Sequence, residues 1–130
     1  MTEHAQIGAG LFNSTWDLIE KEGRTADDDV EMLLAASASR WHWGQVGTAE
    51  RIAGGDWQVA HVASLLGLSD LALLFARRNL AIAEAEGWEG WRLASAHEGM
   101  ARAFATSRDA DGRERHAALA QAALDRESDE

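Results

Sequence analysis

Residues 25–43, TADDDVEMLLAASASRWHW, decide the fold class of this chain. Thr25 followed three residues later by Asp28 is typical of a capping box at a helix start, and the aspartates at 27–29 place negative charge where the helix dipole favours it. Apolar or small residues then recur on one helical face, at Val30, Leu33, Leu34, Ser37, Ala38 and Trp41. The stretch therefore predicts an amphipathic helix that ends near residues 43–44.

The rest of the chain also favours helices, because Ile, Val and Thr together supply only 13 of its 130 residues, too few for a sheet protein of this size. We expect Gly54 and Gly55 to end a short segment, and Asp56 to cap the next helix. The predicted elements are a first helix within 10–24, the helix above, a short segment at 49–53, and helices from Asp56, from Ser69, from about Trp88 and after Gly112. The prediction is an all-α chain of about six to seven helices.

Short turns join these helices in pairs, which predicts stacked antiparallel helical hairpins, with a closed helical bundle as the alternative. A shift of 41 residues lays the turn at 66–70 over the turn at 107–111, and alanines at 60 and 76 over alanines at 101 and 117. We expect one domain over 1–124, in which 10–24 caps hairpins at 30–124. The acidic residues 125–130 are expected to form a frayed tail.

Two resemblances follow from these patterns. The hairpins at 57–86 and 88–126, each opened by a tryptophan and carrying alanines near the helix cross-over, resemble tetratricopeptide-repeat (TPR) proteins. The segments 40–43, 55–57 and 76–80 also resemble a group of small uncharacterised bacterial helical proteins. The TPR resemblance implies a right-handed array whose first helices line a groove for a peptide or a partner helix.

The net charge of −10 is concentrated at the ends of the chain: residues 1–31 carry −6 and residues 125–130 carry −3. The remaining residues have no Lys/Arg cluster, which disfavours nucleic acid as a partner. The longest strongly apolar run, 71–76, is far shorter than the roughly 20 residues of a membrane span, and the amino terminus is not a secretory signal. We therefore expect a cytoplasmic protein without membrane or nucleic-acid partners.

Catalytic signatures are missing from the sequence. No cysteine is present, which excludes thiolate chemistry, and His97-Glu98 begins like a zinc-protease helix but has Ala101 where the second histidine must stand. The sequence thus implies no enzyme, cofactor or metal. One exception stays open: His42, His61 and His97 lie on three successive helices, and their convergence near Glu98 or Glu50 would make a divalent-metal or acid–base site. The alternative is that a histidine such as His97 is a hydrogen-bonded core residue.

Six tryptophans and a pair of arginines are the remaining unusual features. Tryptophans at helix ends can lock neighbouring helices or can form an aromatic wall for a ligand, and Trp43 is the one we expect to be most exposed. The neighbouring Arg77 and Arg78 can make helix-surface ion pairs, for example between Arg77 and Glu84; alternatively, Arg78 and Arg102 can bind a carboxylate or phosphate in a groove. The candidate ligand- or partner-binding residues are Arg40, His42, Trp43, His61, Arg78, His97, Glu98 and Arg102.

Three functions are compatible with these patterns. The first is a non-catalytic, TPR-like interaction module that binds a peptide or partner protein in a helical groove. The second is a helical protein with a His/Trp/Glu pocket for a small molecule or a divalent metal. The third is a structural subunit that self-associates through the exposed end of its array. A fold class alone does not choose among them.

Overall fold

The computed structural model describes residues 3–129 of the backbone and the side chains of residues 3–127. The described chain contains six helices and no strand, which confirms the all-α prediction. The helices are α1 (Glu3–Glu20), α2 (Ala26–Val46), α3 (Ala49–Leu65), α4 (Ser69–Ala85), α5 (Trp91–Thr106) and α6 (Ala110–Asp129). None of the helices in this part of the chain is long and apolar enough to span a bilayer.

The packing order of the helices follows the chain. Each helix packs on the next, and α3 also packs on α1 and α5, whereas within the described residues the backbones of α2, α4 and α6 do not approach one another. The odd-numbered helices therefore form the inner side of a helical hairpin array, and the even-numbered helices form its outer side. The described parts of α1 and α6, at the two ends, are not in contact, so the array stays open where a closed bundle would bring them together.

Alanine builds much of the core, and this allows the helices to approach closely. One buried cluster joins α2 to α3 through Met32, Ala36, Val59 and Val62. A second joins α3, α4 and α5 through Ala60, Ala63, Ala72, Ala76, Met100 and Ala103.

The apolar stripe predicted for α2 is not its buried face: Val30, Leu34 and Trp41 are 57%, 58% and 58% exposed, and Met32, Ala36 and Ser39 are buried instead. The spacing of the large apolar residues indicated the wrong side of this helix, because its contact surface is built largely from small residues.

The capping box at the start of α2 is confirmed. The Thr25 hydroxyl accepts a hydrogen bond from the Asp28 amide, and the Asp28 carboxylate accepts one from the Thr25 amide. Gly47, at φ 84°, ends α2 in the left-handed conformation that favours glycine. The predicted helix is therefore real, and it is longer at both ends than its apolar stripe.

The repeat of 41 residues is confirmed in detail. Shifted by 41, α3 and α4 cover 90–106 and 110–126, which are the positions of α5 and of most of α6. In the first turn the Leu68 amide donates to the Ala63 carbonyl, and in the second the Asp109 amide donates to the Phe104 carbonyl, both at 2.9 Å. The two hairpins α3–α4 and α5–α6 are therefore copies of one structural unit.

The sequence suggested that Gly54 and Gly55 end a helix, but this prediction is wrong, since both residues lie inside the continuous helix α3. The reason is a close approach of two helices, because a Cβ atom built on Gly55 would lie 2.8 Å from Cδ of Arg40 on α2. Asp56 consequently lies in the helix interior and is not a cap. The segment predicted at 49–53 and the helix predicted from Asp56 are thus one continuous helix, and the described chain has six helices.

The predicted ends of the chain also differ from the structure. The first helix is α1 and begins at Glu3, well before residue 10. Residues 125–129, expected to fray, continue α6, where the Gln121 side chain donates to the Asp125 carboxylate one turn later. Residue 130 lies outside the described residues.

Candidate functional site

A continuous row of aromatic rings lies on the inner side of the array. Phe12 and Trp16, one turn apart on α1, meet Trp57 and His61, one turn apart on α3. Trp16 lies 5.8 Å from Trp57 between ring centroids, and Trp57 stacks on His61 at 5.1 Å. Trp43 of α2 extends the row by packing on Phe12 at 5.1 Å. We call these five residues the aromatic row.

The row ends at a charged pair on α5. Arg102 is hydrogen-bonded to Glu98 one turn earlier, and its Nη1 lies 3.4 Å from His61 Nε2. Since a guanidinium only donates, His61 Nε2 accepts and its proton resides on Nδ1. Burial, aided by the Arg102 charge and opposed by Glu98, lowers the pKa of His61 to about 4. His61 is therefore a neutral ring at physiological pH.

Two members of the row, Phe12 and Trp57, border a cavity of about 300 Å³ between α1, α3, α4 and the start of α5. The cavity is lined by Phe12, Glu50, Ala53, Gly54, Trp57, Asn79, Trp88, Trp91, Arg92 and Ser95. The Arg92 guanidinium carbon lies 5.1 Å above Trp88 and 5.3 Å above Trp91, so two indoles hold this cation at the rim by cation–π contacts. Trp91 is 59% exposed.

Trp16 and His61 both pack against the Trp57 ring, at 5.8 Å and 5.1 Å, and lie 5.6 Å from each other, so the three rings form one compact cluster. The faces of the indoles at 88 and 91 are directed at Arg92. Because Arg92 already lies over the electron-rich faces of these two indoles, the cavity suits an apolar or aromatic side chain better than a second cation.

Asp56 of α3 is fully buried and connects its helix to α2 and α4. Its Oδ1 accepts a hydrogen bond of 2.6 Å from Arg40 Nε on α2, and its Oδ2 lies 3.7 Å from Arg78 Nε on α4. Burial raises the pKa of Asp56, and the charges and hydrogen bond of the two arginines counteract this. Arg40 and Arg78, both predicted to bind a ligand or a partner, are thus brought together on a buried carboxylate.

The three histidines do not converge. His42 Nδ1 lies 2.9 Å from Nδ1 of His4 on α1, and His97 Nδ1 lies 2.9 Å from Nδ1 of His116 on α6, whereas His61 belongs to the aromatic row. Among the described residues, no group of three or more His, Cys, Asp or Glu side chains could hold a metal ion. The two histidine pairs instead join the helices of the first and last hairpins.

Trp43 is not the exposed tryptophan that the sequence suggested. It is half-buried because it packs over Gly8, where a Cβ atom would lie 2.3 Å from Trp43 Cδ1, and its indole donates to the Ala5 carbonyl at 3.4 Å. The most exposed indoles are those of Trp91 and of Trp41, at 59% and 58%. A tryptophan next to a glycine in sequence can thus be fixed by a glycine on another helix.

Of the predicted site residues, the structure brings His61, Glu98 and Arg102 into contact at the groove and places Trp43 at the other end of its aromatic row. Trp88, Trp91 and Arg92, which line the cavity, are not among the site residues predicted from the sequence. A signal for the row was present, since 12/16 and 57/61 are aromatic pairs at helical spacing. Comparison of the chain with models of known families, with curated proteins and with solved structures finds no match.

Proposed function

We propose that this protein is a non-catalytic, TPR-like interaction module that binds a segment of a partner protein in the groove between α1, α3 and α5. The observation that carries the proposal is the aromatic row, which lies along the inner side of these helices and borders the cavity beside Trp91. Aromatic side chains are enriched at binding hot spots, because they bury a large apolar area at little cost in conformational entropy.

The cavity indicates the chemistry of the partner. Its volume of about 300 Å³ is at the lower end of the roughly 300–1,000 Å³ of small-molecule sites, and this suits one bulky anchor side chain. The chain carries a net charge of −10, and Glu50 stands at the cavity wall. A bulky apolar or aromatic anchor flanked by Lys or Arg is therefore the segment that the groove attracts best, by apolar burial at the anchor and by electrostatic steering around it.

The titratable groups of the groove favour binding over catalysis. His61, with a pKa of about 4, is neutral near pH 7 and already accepts a hydrogen bond from Arg102, so it is poorly matched to general acid–base chemistry there. The Glu98 carboxylate is engaged by Arg102 on the same helix. The contacts among His61, Glu98 and Arg102 fix the shape of the groove. We expect the protein to act by binding a partner, and to do so in the cytoplasm.

A small molecule in the same cavity is the second candidate. Its support is the enclosure by four aromatic side chains together with the buried amide side chain of Asn79, which can orient a polar group. This small-molecule site differs from the His/Trp/Glu pocket expected from the sequence, because His42 pairs with His4 and His97 pairs with His116. The described residues offer no three-ligand set for a divalent metal.

The test uses two tryptophans of equal exposure. A displayed library of random peptides is selected against the purified protein, and the affinity of the enriched peptides is measured by fluorescence anisotropy for the wild type, Trp91→Ala and Trp41→Ala. Trp91 lines the cavity, whereas Trp41 lies on α2 with neighbours at His4 and His42. Truncation of either exposed indole is expected to leave the fold intact.

We expect enriched peptides with a bulky apolar anchor and basic flanks, and a loss of affinity of about tenfold or more for Trp91→Ala only. Failure to enrich any peptide would contradict the interaction module; indole binding to the cavity, followed by NMR, would then support the small-molecule candidate. Equal losses for Trp91→Ala and Trp41→Ala would contradict the placement of the site.

A further inference from the structure

The last hairpin carries a second groove, on the side of α5 and α6 that faces away from α3 and α4. It encloses about 340 Å³ and is lined mainly by small or apolar residues, with Trp91 and Leu124 at one end and Ala101 and Ala117 towards the other. Ala94 and Ala120 lie between them. This groove is distinct from the cavity of the aromatic row, although Trp91 and Ser95 stand at the border of both.

The internal repeat shows what such a groove normally holds. Shifted back by 41 residues, Ala101 and Ala117 become Ala60 and Ala76 of the hairpin α3–α4. There both alanines are buried, at 2% and 1% exposure, in a cluster completed by Met100 of α5. The groove on α5–α6 is therefore the uncovered copy of a surface that, one hairpin earlier, the chain covers with a helix.

The shape of the groove suits a second copy of the same chain. Because α5 and α6 are antiparallel, Trp91 and Leu124 form a bulky end, and the alanines at 101 and 117 leave the other part shallow. A second copy rotated by 180° about an axis through the middle of the groove places its bulky end over the shallow part of the first. Such an isologous contact is closed and self-complementary.

The charge distribution favours the same occupant. The one ionised side chain in the groove lining is Glu98, and Arg102 neutralises it. Two copies of a chain with net charge −10 can therefore meet at this surface without placing unpaired like charges together. The outer face of α1, at the other end of the array, exposes mainly polar side chains, among them Asn13, Asp17 and Glu20, with Ile7 as its exposed large apolar residue, so it is a poor cover for an apolar groove. We propose that the α5–α6 groove is the interface of a homodimer.

The test compares two alanines of α6 that are both exposed. Ala117 lines the groove but not the cavity of the aromatic row, whereas Ala122 does not line either. At about 100° per residue, Ala122 lies roughly 140° around the helix from Ala117. Arginine at either position is compatible with the isolated helix, so circular dichroism serves as the check that Ala117→Arg and Ala122→Arg remain folded.

The masses of the wild type and both variants are measured by light scattering after size exclusion, at concentrations up to about 100 μM, where a dimer with a dissociation constant of about 1 μM is almost complete. We expect dimers for the wild type and Ala122→Arg, and a folded monomer for Ala117→Arg. A monomeric wild type over the whole range overturns the proposal. A dimer that persists in Ala117→Arg, or one that is lost in Ala122→Arg, also overturns it, because the contact must then lie elsewhere.

Discussion

The Arg40 guanidinium donates a hydrogen bond of 2.6 Å to the fully buried carboxylate of Asp56, and this contact joins α2 to the middle of α3. A glycine at 55 lets the Arg40 side chain pass close to the α3 backbone. Arg78 approaches the second carboxylate oxygen from α4. The segments 40–43, 55–57 and 76–80, which carry one of the sequence resemblances, thus meet at a single buried ionic centre.

Removal of Arg40 is expected to destabilise the fold strongly. In Arg40→Ala the buried Asp56 carboxylate loses its hydrogen-bonded partner, and we expect a loss of about 3–5 kcal/mol in the free energy of unfolding, measured by urea denaturation. The matched control is Arg78→Ala, in which the lost partner is half-exposed and 3.7 Å away, with an expected cost below about 1 kcal/mol. Equal costs for the two variants would contradict this account of the centre.

Two glycines of α1 are expected to respond to alanine in opposite ways. A Cβ atom at Gly8 would lie 2.3 Å from Cδ1 of Trp43, a ring already held by Phe12, so Gly8→Ala should destabilise by about 1–3 kcal/mol. At Gly10 nothing lies within 4 Å of the added atom, and Gly10→Ala should stabilise by about 0.5–1 kcal/mol through helix propensity. Thermal unfolding of both variants measures the difference. A neutral Gly8→Ala would show that Trp43 does not fix the distance between α1 and α2.

The sequence could predict local structure but not the contacts between helices. Helices follow from local spacing and capping, so the presence of α2 and of the repeated hairpins was predictable. The buried face of α2 was not, because Met32, Ala36 and Ser39 are buried where the large apolar residues predicted Val30, Leu34 and Trp41.

The structural roles of Gly55 and Asp56 depend on contacts with Arg40, which is 16 residues away from Asp56 in the sequence. Local sequence patterns therefore predicted a helix end at Gly55 and a helix cap at Asp56, and both predictions are wrong. In the same way, the aromatic row combines rings from three helices, and helical spacing could indicate only the pairs within each helix.

The stability of the fold is expected to fall as the pH drops from about 6.5 towards 4, in part because of His61. Its pKa is lowered to about 4 in the folded state, so between these values the unfolded chain binds more protons than the folded chain. Neutral His61 thus stabilises the fold above pH 6.5, and this contribution is lost progressively on acidification. We expect about 1–2 kcal/mol, after allowance for screening of a half-buried ring by water.

The contribution of His61 is measured by urea denaturation of the wild type and His61→Gln across this pH range. We expect the wild type to lose more stability on acidification than the variant. The general loss of stability from carboxylate protonation is common to both proteins and cancels in the comparison. Parallel pH profiles would show that His61 titrates with an ordinary pKa.

The histidine pair between α5 and α6 is expected to titrate as a unit. Burial lowers the pKa of both His97 and His116, proximity to His97 and to Arg115 lowers that of His116 further, and Glu84 of α4 opposes these effects. In His97→Gln the pKa of His116 should therefore rise towards 6.5, as followed by NMR of the imidazole signals. His42→Gln, at the other end of the array, is the control and should leave the titration of His116 unchanged. A pKa of His116 that is insensitive to His97→Gln would contradict the pairing.

The most direct test of the proposed groove is NMR of the six indole N–H signals during addition of a peptide enriched by the selection above. Assignment by single Trp→Phe variants identifies each signal. We predict that the signals of Trp57, Trp88 and Trp91 shift and saturate together, whereas that of Trp41, which is as exposed as Trp91, stays in place. Shifts confined to Trp41, or unchanged signals of all three cavity tryptophans at a peptide concentration that saturates binding, would show that the partner binds outside this groove.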